Sequence, residues 1–320
     1  MTRHSILAWA AFIVTLGCGA NTHADISFQG VGDLSGGQFS SRAYGVSGDG
    51  RVVVGVSEAY PGQRAFRWED GVMTNLGNLP GGSPNSYARD ASADGSVVVG
   101  DAGSTFGHEA SRWENGTITG LGDLPDGGFT SYGNAVSADG TVVVGRATSA
   151  EGMEAFRWEN GVMVGLGSLP GSYSSRAYDV SADGAVVVGQ SSNRAFHWTA
   201  TDGIQPLSNL PNGGSFSNAL GTSADGSVVV GWAGDSSNIY GPKEAYHWEN
   251  GNVTTLGDLP GGLSYSWANA VSADGSVVVG WSTRANSLAS GTGKEAFIWD
   301  SAEGMRGLSD VLEDDYDLDL

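Results

Sequence analysis

A ten-residue phrase, Val271-Ser-Ala-Asp-Gly-Ser-Val-Val-Val-Gly280, recurs almost unchanged six times and constrains the fold more than any other feature of the chain. Its Ser-x-Asp-Gly core begins at Ser47, Ser92, Ser137, Ser181, Ser223 and Ser272, at intervals of 45, 45, 44, 42 and 49 residues. A period of this size marks a repeat architecture, in which each unit buries its apolar face against its neighbours. Uniform repetition over 320 residues favours one domain, expected over residues 25–310.

Each unit reads as four short strands. Ser86–Ser92 alternates loosely and runs into Asp94-Gly95, read as a two-residue hairpin turn with positive φ at both positions. Val97-Val-Val-Gly100 returns, and three adjacent valines need cover on both faces. A third strand carries a tryptophan, as in Ala65-Phe-Arg-Trp68 and Ala155-Phe-Arg-Trp158. An Asp-Gly or Asn-Gly turn follows, then a fourth strand ending in Leu-Gly-x-Leu-Pro, where proline suits a strand edge. Repeated six times, this gives an all-β fold: a six-bladed β-propeller of four-stranded antiparallel blades. A shortened seven-bladed propeller is the variant, and a β-solenoid the competing fold. Ile26–Leu34 reads as an isolated fourth strand that could complete the last blade, making seven candidate fourth strands for six blades.

The six tryptophans, Trp68, Trp113, Trp158, Trp198, Trp248 and Trp299, occupy one repeat position and read as inter-blade core. The turn aspartates Asp49, Asp94, Asp139, Asp183, Asp225 and Asp274 read as caps of their own backbone rather than as catalytic acids.

The order of signals resembles a WD40 blade. The units also resemble the HAF-family extracellular repeat through Arg64-Ala-Phe66, Glu154-Ala-Phe156, Arg194-Ala-Phe196 and Glu295-Ala-Phe297, over nearly everything from Val31 to Leu308. That resemblance implies a bacterial, exported repeat protein and carries over no catalytic residue. Similar proteins often continue with another Ser-Ala-Asp-Gly unit or a Pro-Glu-Pro tail. Here the last unit gives way to an acidic ending, residues 311–320, read as a tail.

The N-terminus fits export. Arg3 and His4 precede an apolar run, Ile6–Leu16, and Thr22-His-Ala24 offers a cleavage site, so residues 1–24 read as a signal peptide. The alternative is a lipid anchor at Cys18, the sole cysteine, in Thr15-Leu-Gly-Cys18. The mature chain is expected to be secreted or held in the cell envelope as a monomer, without disulfides or a membrane span.

A formal charge of −20, from 35 acidic and 15 basic residues, repels phosphate backbones, which excludes a nucleic-acid partner. No metal-site motif, nucleophile elbow or P-loop is present, and no cofactor is expected. Length variation locates the working end of the blades. Spacing from each Trp to the next Ser-x-Asp-Gly is 23–25 residues, whereas from that serine to its Trp it runs from 17 to 27. The variable connections therefore join second and third strands, and recognition belongs there. The longest, Trp232–Lys243 and Trp281–Lys294, lie in the fifth and sixth units. Trp232, Tyr240, Tyr265, Trp267 and Trp281 cluster around them as candidate ligand platforms, although packing of the long loops would also account for them. The expected function is a non-catalytic binding or structural scaffold for a protein or glycan. The alternative is a carbohydrate-active enzyme, a glycosidase or lyase, with its acids on the variable loops.

Overall fold

The computed structural model describes residues 30–211, 215–235, 241–284 and 293–316. The signal segment, Cys18, Tyr240 and most of the two longest loops lie outside the described residues. Within them the chain is nearly all β. Six four-stranded antiparallel sheets, each from four consecutive strands, form a six-bladed β-propeller with one short helix. In the first blade β1 is Ser41–Val46, β2 Val52–Ala59, β3 Gly62–Glu69 and β4 Val72–Asn75, paired in that order. Two compact units make up the structure. One runs through Ala150 and includes Trp158–Met163; the other comprises Glu151–Arg157 and the chain from Val164 onward.

The two turns of each blade differ in kind. Gly95 N–H donates to Ser92 O at 2.9 Å, so Ser-Ala-Asp-Gly is a four-residue turn with positive φ at its glycine alone. This corrects the two-residue turn expected at Asp94-Gly95. Asp94 instead accepts from the Ser92 hydroxyl at 2.8 Å and from the Ser96 N–H at 2.9 Å. Those donors pull its carboxyl down to about 2, and Asp225 and Asp274 reach the same value through the same contacts. The doubly positive turn expected there appears two hairpins later, between the third and fourth strands, at Asp70-Gly71, Asn115-Gly116, Asn160-Gly161 and Asn250-Gly251.

Neighbouring turns are tied by backbone bonds. Asp49 N–H donates to Ala93 O and Ala93 N–H to Ala138 O in the first unit; Ala182 donates to Ala224 and Ala224 to Ala273 in the second. A Cβ on Gly95 would lie 2.4 Å from a Val52 methyl, so glycine is required for close approach as well as for φ.

Burial follows the repeat. Ala65 and Phe66, Ala155 and Phe156, and Ala195 and Phe196 are all buried, as is Tyr246 at the same position. The alanine N–H finds its partner on the following blade: Ala65, Ala110, Ala155, Ala195 and Ala245 donate to the hydroxyls of Ser86, Ser131, Ser175, Ser217 and Ser266. Of the six repeated tryptophans only Trp113 and Trp299 are fully buried, the other four being half-buried. Trp113 shares a core cluster with Val52 and Val54 of the preceding blade, and Trp299 with Val228 and Val230. The fully buried aromatic of the strand is more often the Phe two positions earlier. The second blade has Ser111 there, bonded to Glu109 O at 2.9 Å.

Two expectations about the ends are corrected. Of Ile26–Leu34, residues 26–29 lie outside the described residues and residues 30–39 form no strand; Leu34 N–H bonds the Ser57 hydroxyl, as Leu169 and Leu259 bond Ser191 and Ser282. The segment thus matches the connection that precedes a blade, and the sixth blade closes with its own fourth strand, Gly304–Gly307. The acidic ending begins as a helix, α1 (Leu308–Asp314), which buries Val311 and Leu312. Arg284 anchors this helix through Glu295 at 2.9 Å and Asp310 at 3.0 Å.

Candidate functional site

The residue after each Val-Val-Val-Gly run faces a fixed position on the first strand. The pairs are Arg42–Val56, Tyr87–Asp101, Tyr132–Arg146, Arg176–Gln190, Asn218–Trp232 and Trp267–Trp281. This register position varies freely while the scaffold repeats.

In the fifth and sixth blades it builds an aromatic stack. Phe216 meets Trp232 edge-on at 5.1 Å, Trp232 stacks on Trp267 at 4.9 Å, and Trp267 lies 5.0 Å from Trp281. Both lysines of the chain cap it. Lys294 Nζ stands 3.8 Å above Trp281, and Lys243 Nζ lies 5.7 Å from Phe216 and Trp232 and 5.2 Å from Tyr265. Desolvation holds the Lys243 amine below its usual range. The structure therefore brings Trp232, Trp267, Trp281 and Tyr265 together around the stack and Lys243. Trp232, however, is only 3% exposed, with Phe216 on its edge and Trp267 on its face, so it packs the stack rather than presenting an open platform.

In the second and third blades the same position is polar. Asp101, buried, accepts from Arg89 Nη2 at 2.9 Å and from His108 Nδ1 at 3.1 Å. The bond to Asp101 raises the imidazole above its ordinary range, partly offset by burial. His108 stacks on Tyr132 at 5.8 Å, and the Arg146 guanidinium covers the same ring at 4.5 Å. Sequence patterning does not reveal this cluster, because Arg89, Asp101 and His108 lie on three different strands.

The most exposed aromatic rings lie elsewhere, whereas Tyr44 on β1 and Tyr316 beyond α1 are about half exposed. Phe39, Tyr60, Phe106 and Phe129 in the first unit are 94%, 88%, 72% and 62% exposed. Each stands at a second-to-third-strand tip or at the run-in to a first strand, the end of the blade where loop length varies. Tyr173 holds the matching run-in position in the second unit and is exposed as well. Phe106 and Phe129 touch at 5.0 Å. Beside Tyr60 opens a recess of about 470 Å³, lined by Gln38, Glu58, Tyr60, Gln63 and Asn85 among others. Asn85 Oδ1 accepts the Gln63 N–H at 3.0 Å, and the Tyr87 hydroxyl donates to Gln63 Oε1 at 2.6 Å, so both amides are held in place. Loop length gave no hint of this recess, since the Tyr60-Pro61 hairpin is among the tighter ones.

Among the described residues no group of three or more His, Cys, Asp or Glu gathers to hold a metal ion, and no helix is long and apolar enough to cross a membrane. Neither a protein-family model nor any curated protein matches the sequence. Solved structures do match in fold. Putative TolB from Agrobacterium tumefaciens is 18% identical over 74% of this chain and 87% of its own, with a TM-score of 0.50. Oligogalacturonate lyase from Vibrio parahaemolyticus is 9% identical over 82% of this chain and 75% of its own, with a TM-score of 0.54. TolB from Acinetobacter baumannii is 14% identical over 66% of this chain, which spans about half (52%) of that protein, at a TM-score of 0.47. For the Agrobacterium and Vibrio structures, at these identities, the likeness is one of fold: a β-propeller.

Proposed function

We propose that the chain is an exported, monomeric propeller of the HAF-repeat type that works as a non-catalytic binding module. A glycan or protein partner would be held at the variable-loop end of the blades. One observation carries this reading: exposed rings stand at that end of the blades, while the Ser-x-Asp-Gly turns carry no aromatic residue at all. The apolar run at residues 6–16 supports export, and either cleavage after Ala24 or lipidation at Cys18 would deliver it.

A carbohydrate-active enzyme is the second reading, and three glutamates at one repeat position of the third strand, Glu109, Glu154 and Glu295, have structural employment. Glu109 Oε1 accepts Gly122 N–H at 3.1 Å and Glu154 Oε1 accepts Gly167 N–H at 2.9 Å, while Glu295 holds Arg284. Two of these glutamates hold backbone and the third an arginine, and Glu58 stands in the recess without a second acid among its lining residues, which favours binding over hydrolysis by a carboxylate pair. The test is binding of the full mature chain to a glycan array and to envelope proteins, set against the double variant Phe106→Ala/Phe129→Ala. Loss of the bound partner with an unchanged melting curve supports the reading. Full retention would move the contact surface off this end of the blades.

A further inference from the structure

We propose that the recess beside Tyr60 is a binding site for a hexose unit of a neutral polysaccharide. This deepens the binding-module reading and rests on it. Its volume of about 470 Å³ falls within the usual range for small-molecule sites, roughly 300–1,000 Å³. Recognition of a sugar needs an apolar plate for the C–H face of the ring and fixed polar groups for its hydroxyls. The recess holds both. Tyr60 offers an almost fully exposed ring at the rim.

The polar groups are fixed and still have capacity to spare. Gln63 spends its carbonyl on the Tyr87 hydroxyl and Asn85 spends its carbonyl on the Gln63 N–H. Each therefore keeps an NH₂ with two donors, and among the described residues neither NH₂ has a partner. Glu58, on the wall of the same recess, adds a carboxylate that makes no side-chain hydrogen bond among the described residues. Two amide donors and a carboxylate acceptor suit the mixed donor and acceptor character of vicinal hydroxyls.

Charge selects among glycans. The one charged group on the recess wall is Glu58, and the chain carries −20 overall, so a uronate or sulfated sugar would be repelled at contact and at long range. Extension of the ligand is also provided for. Phe39 flanks the recess residue Gln38 in sequence, and Phe106 and Phe129 stand at the equivalent end of the next two blades of the same unit. Exposed rings on successive blades, Tyr60 on the first and the touching pair Phe106 and Phe129 on the next two, suit a polymer of repeated rings better than a single free sugar.

The experiment is calorimetric titration of the full mature chain with three hexasaccharides: a neutral β-glucan, a neutral mannan and an oligogalacturonate. The expected result is saturable binding of at least one neutral probe and none of the acidic one. Tyr60→Ala should weaken the neutral probe about tenfold or more, and Tyr60→Phe should restore it. Gln63→Glu keeps the acceptor that Tyr87 uses but removes the amide donors, so it should weaken binding by about the same factor; it also sets a carboxylate opposite Glu58 on the paired strand, so its melting temperature should fall slightly while the protein stays folded at the titration temperature. No binding of either neutral probe, preference for the acidic probe, or unaltered affinity in both Tyr60→Ala and Gln63→Glu would overturn the proposal. Binding lost in Phe106→Ala/Phe129→Ala yet untouched by Tyr60→Ala and Gln63→Glu would overturn the recess while leaving the loop-end reading in place.

Discussion

Two regions of the molecule show how one register position can serve opposite chemistries. In the fifth and sixth blades the residue after the triple valine and glycine is Trp232 or Trp281, and it builds a stack capped by Lys243 and Lys294. In the second blade the same position is Asp101, which anchors Arg89 and His108 beneath Tyr132. The strands around both are alike, so the difference lies in side chains that the repeat leaves free. Dispersion and desolvation hold the first region together, and neither responds to pH. Charge-assisted bonds around a buried carboxylate hold the second, and these do.

The largest effect should come from the stack. Trp232→Ala should cost about 3–5 kcal/mol, read from guanidinium unfolding, because the neighbouring rings cannot close the space left behind. A wild-type midpoint would mean that the stack contributes no packing. Asp101→Asn should cost less, about 1–3 kcal/mol, since Arg89 and His108 are each about a third exposed and can turn to water.

A third comparison lies within the second blade. Burial lifts the Asp90 carboxyl to about 6, although it accepts the Val136 N–H at 2.9 Å. A raised carboxyl penalises the ionised folded state, so the penalty grows as pH rises from the unfolded value through about 6. Asp90→Asn should therefore be more stable than wild type by about 1–2 kcal/mol near pH 8, with the gap closing toward pH 4. An equal gap at both pH values would show that the carboxyl is solvated.

The smallest effect belongs to His108. Its imidazole is raised by Asp101, so its stabilisation is complete below the ordinary histidine value and fades as pH rises through the folded one. The deficit of His108→Gln should shrink from about pH 5.5 to about pH 8.5, by roughly 1 kcal/mol or less. Over the same range the deficit of Trp232→Ala should stay flat. A parallel pH slope in the two variants would erase the distinction between the regions.

The blades were legible because each is written locally. Strand, turn, triple valine and tryptophan fall within about 25 residues, and period-two patterning fixes which side chains share a face. What stayed illegible depends on bonds between blades. The serine hydroxyls that receive the alanine N–H groups lie 20–22 residues downstream, with nothing in their own strand to announce the role. The Asp-Gly pairs misled for a related reason: Ser47, Ser92 and their equivalents draw the aspartate side chain into a longer turn that the dipeptide alone does not reveal. At the candidate site, loop length pointed to the fifth and sixth blades. Tyr60 and its recess arise instead from a short hairpin, where Gly62 lets Asn85 approach; a Cβ there would lie 2.4 Å from Asn85 Oδ1.

The central claim is that the loop ends of the blades meet a ligand while the Ser-x-Asp-Gly turns serve only the scaffold. Hydrogen–deuterium exchange with and without a neutral hexasaccharide tests it most directly. The account predicts slowed exchange at residues 58–63 and 83–87 and no change at residues 47–50 and 92–95. Protection at those turns, with residues 58–63 unaffected, would contradict it.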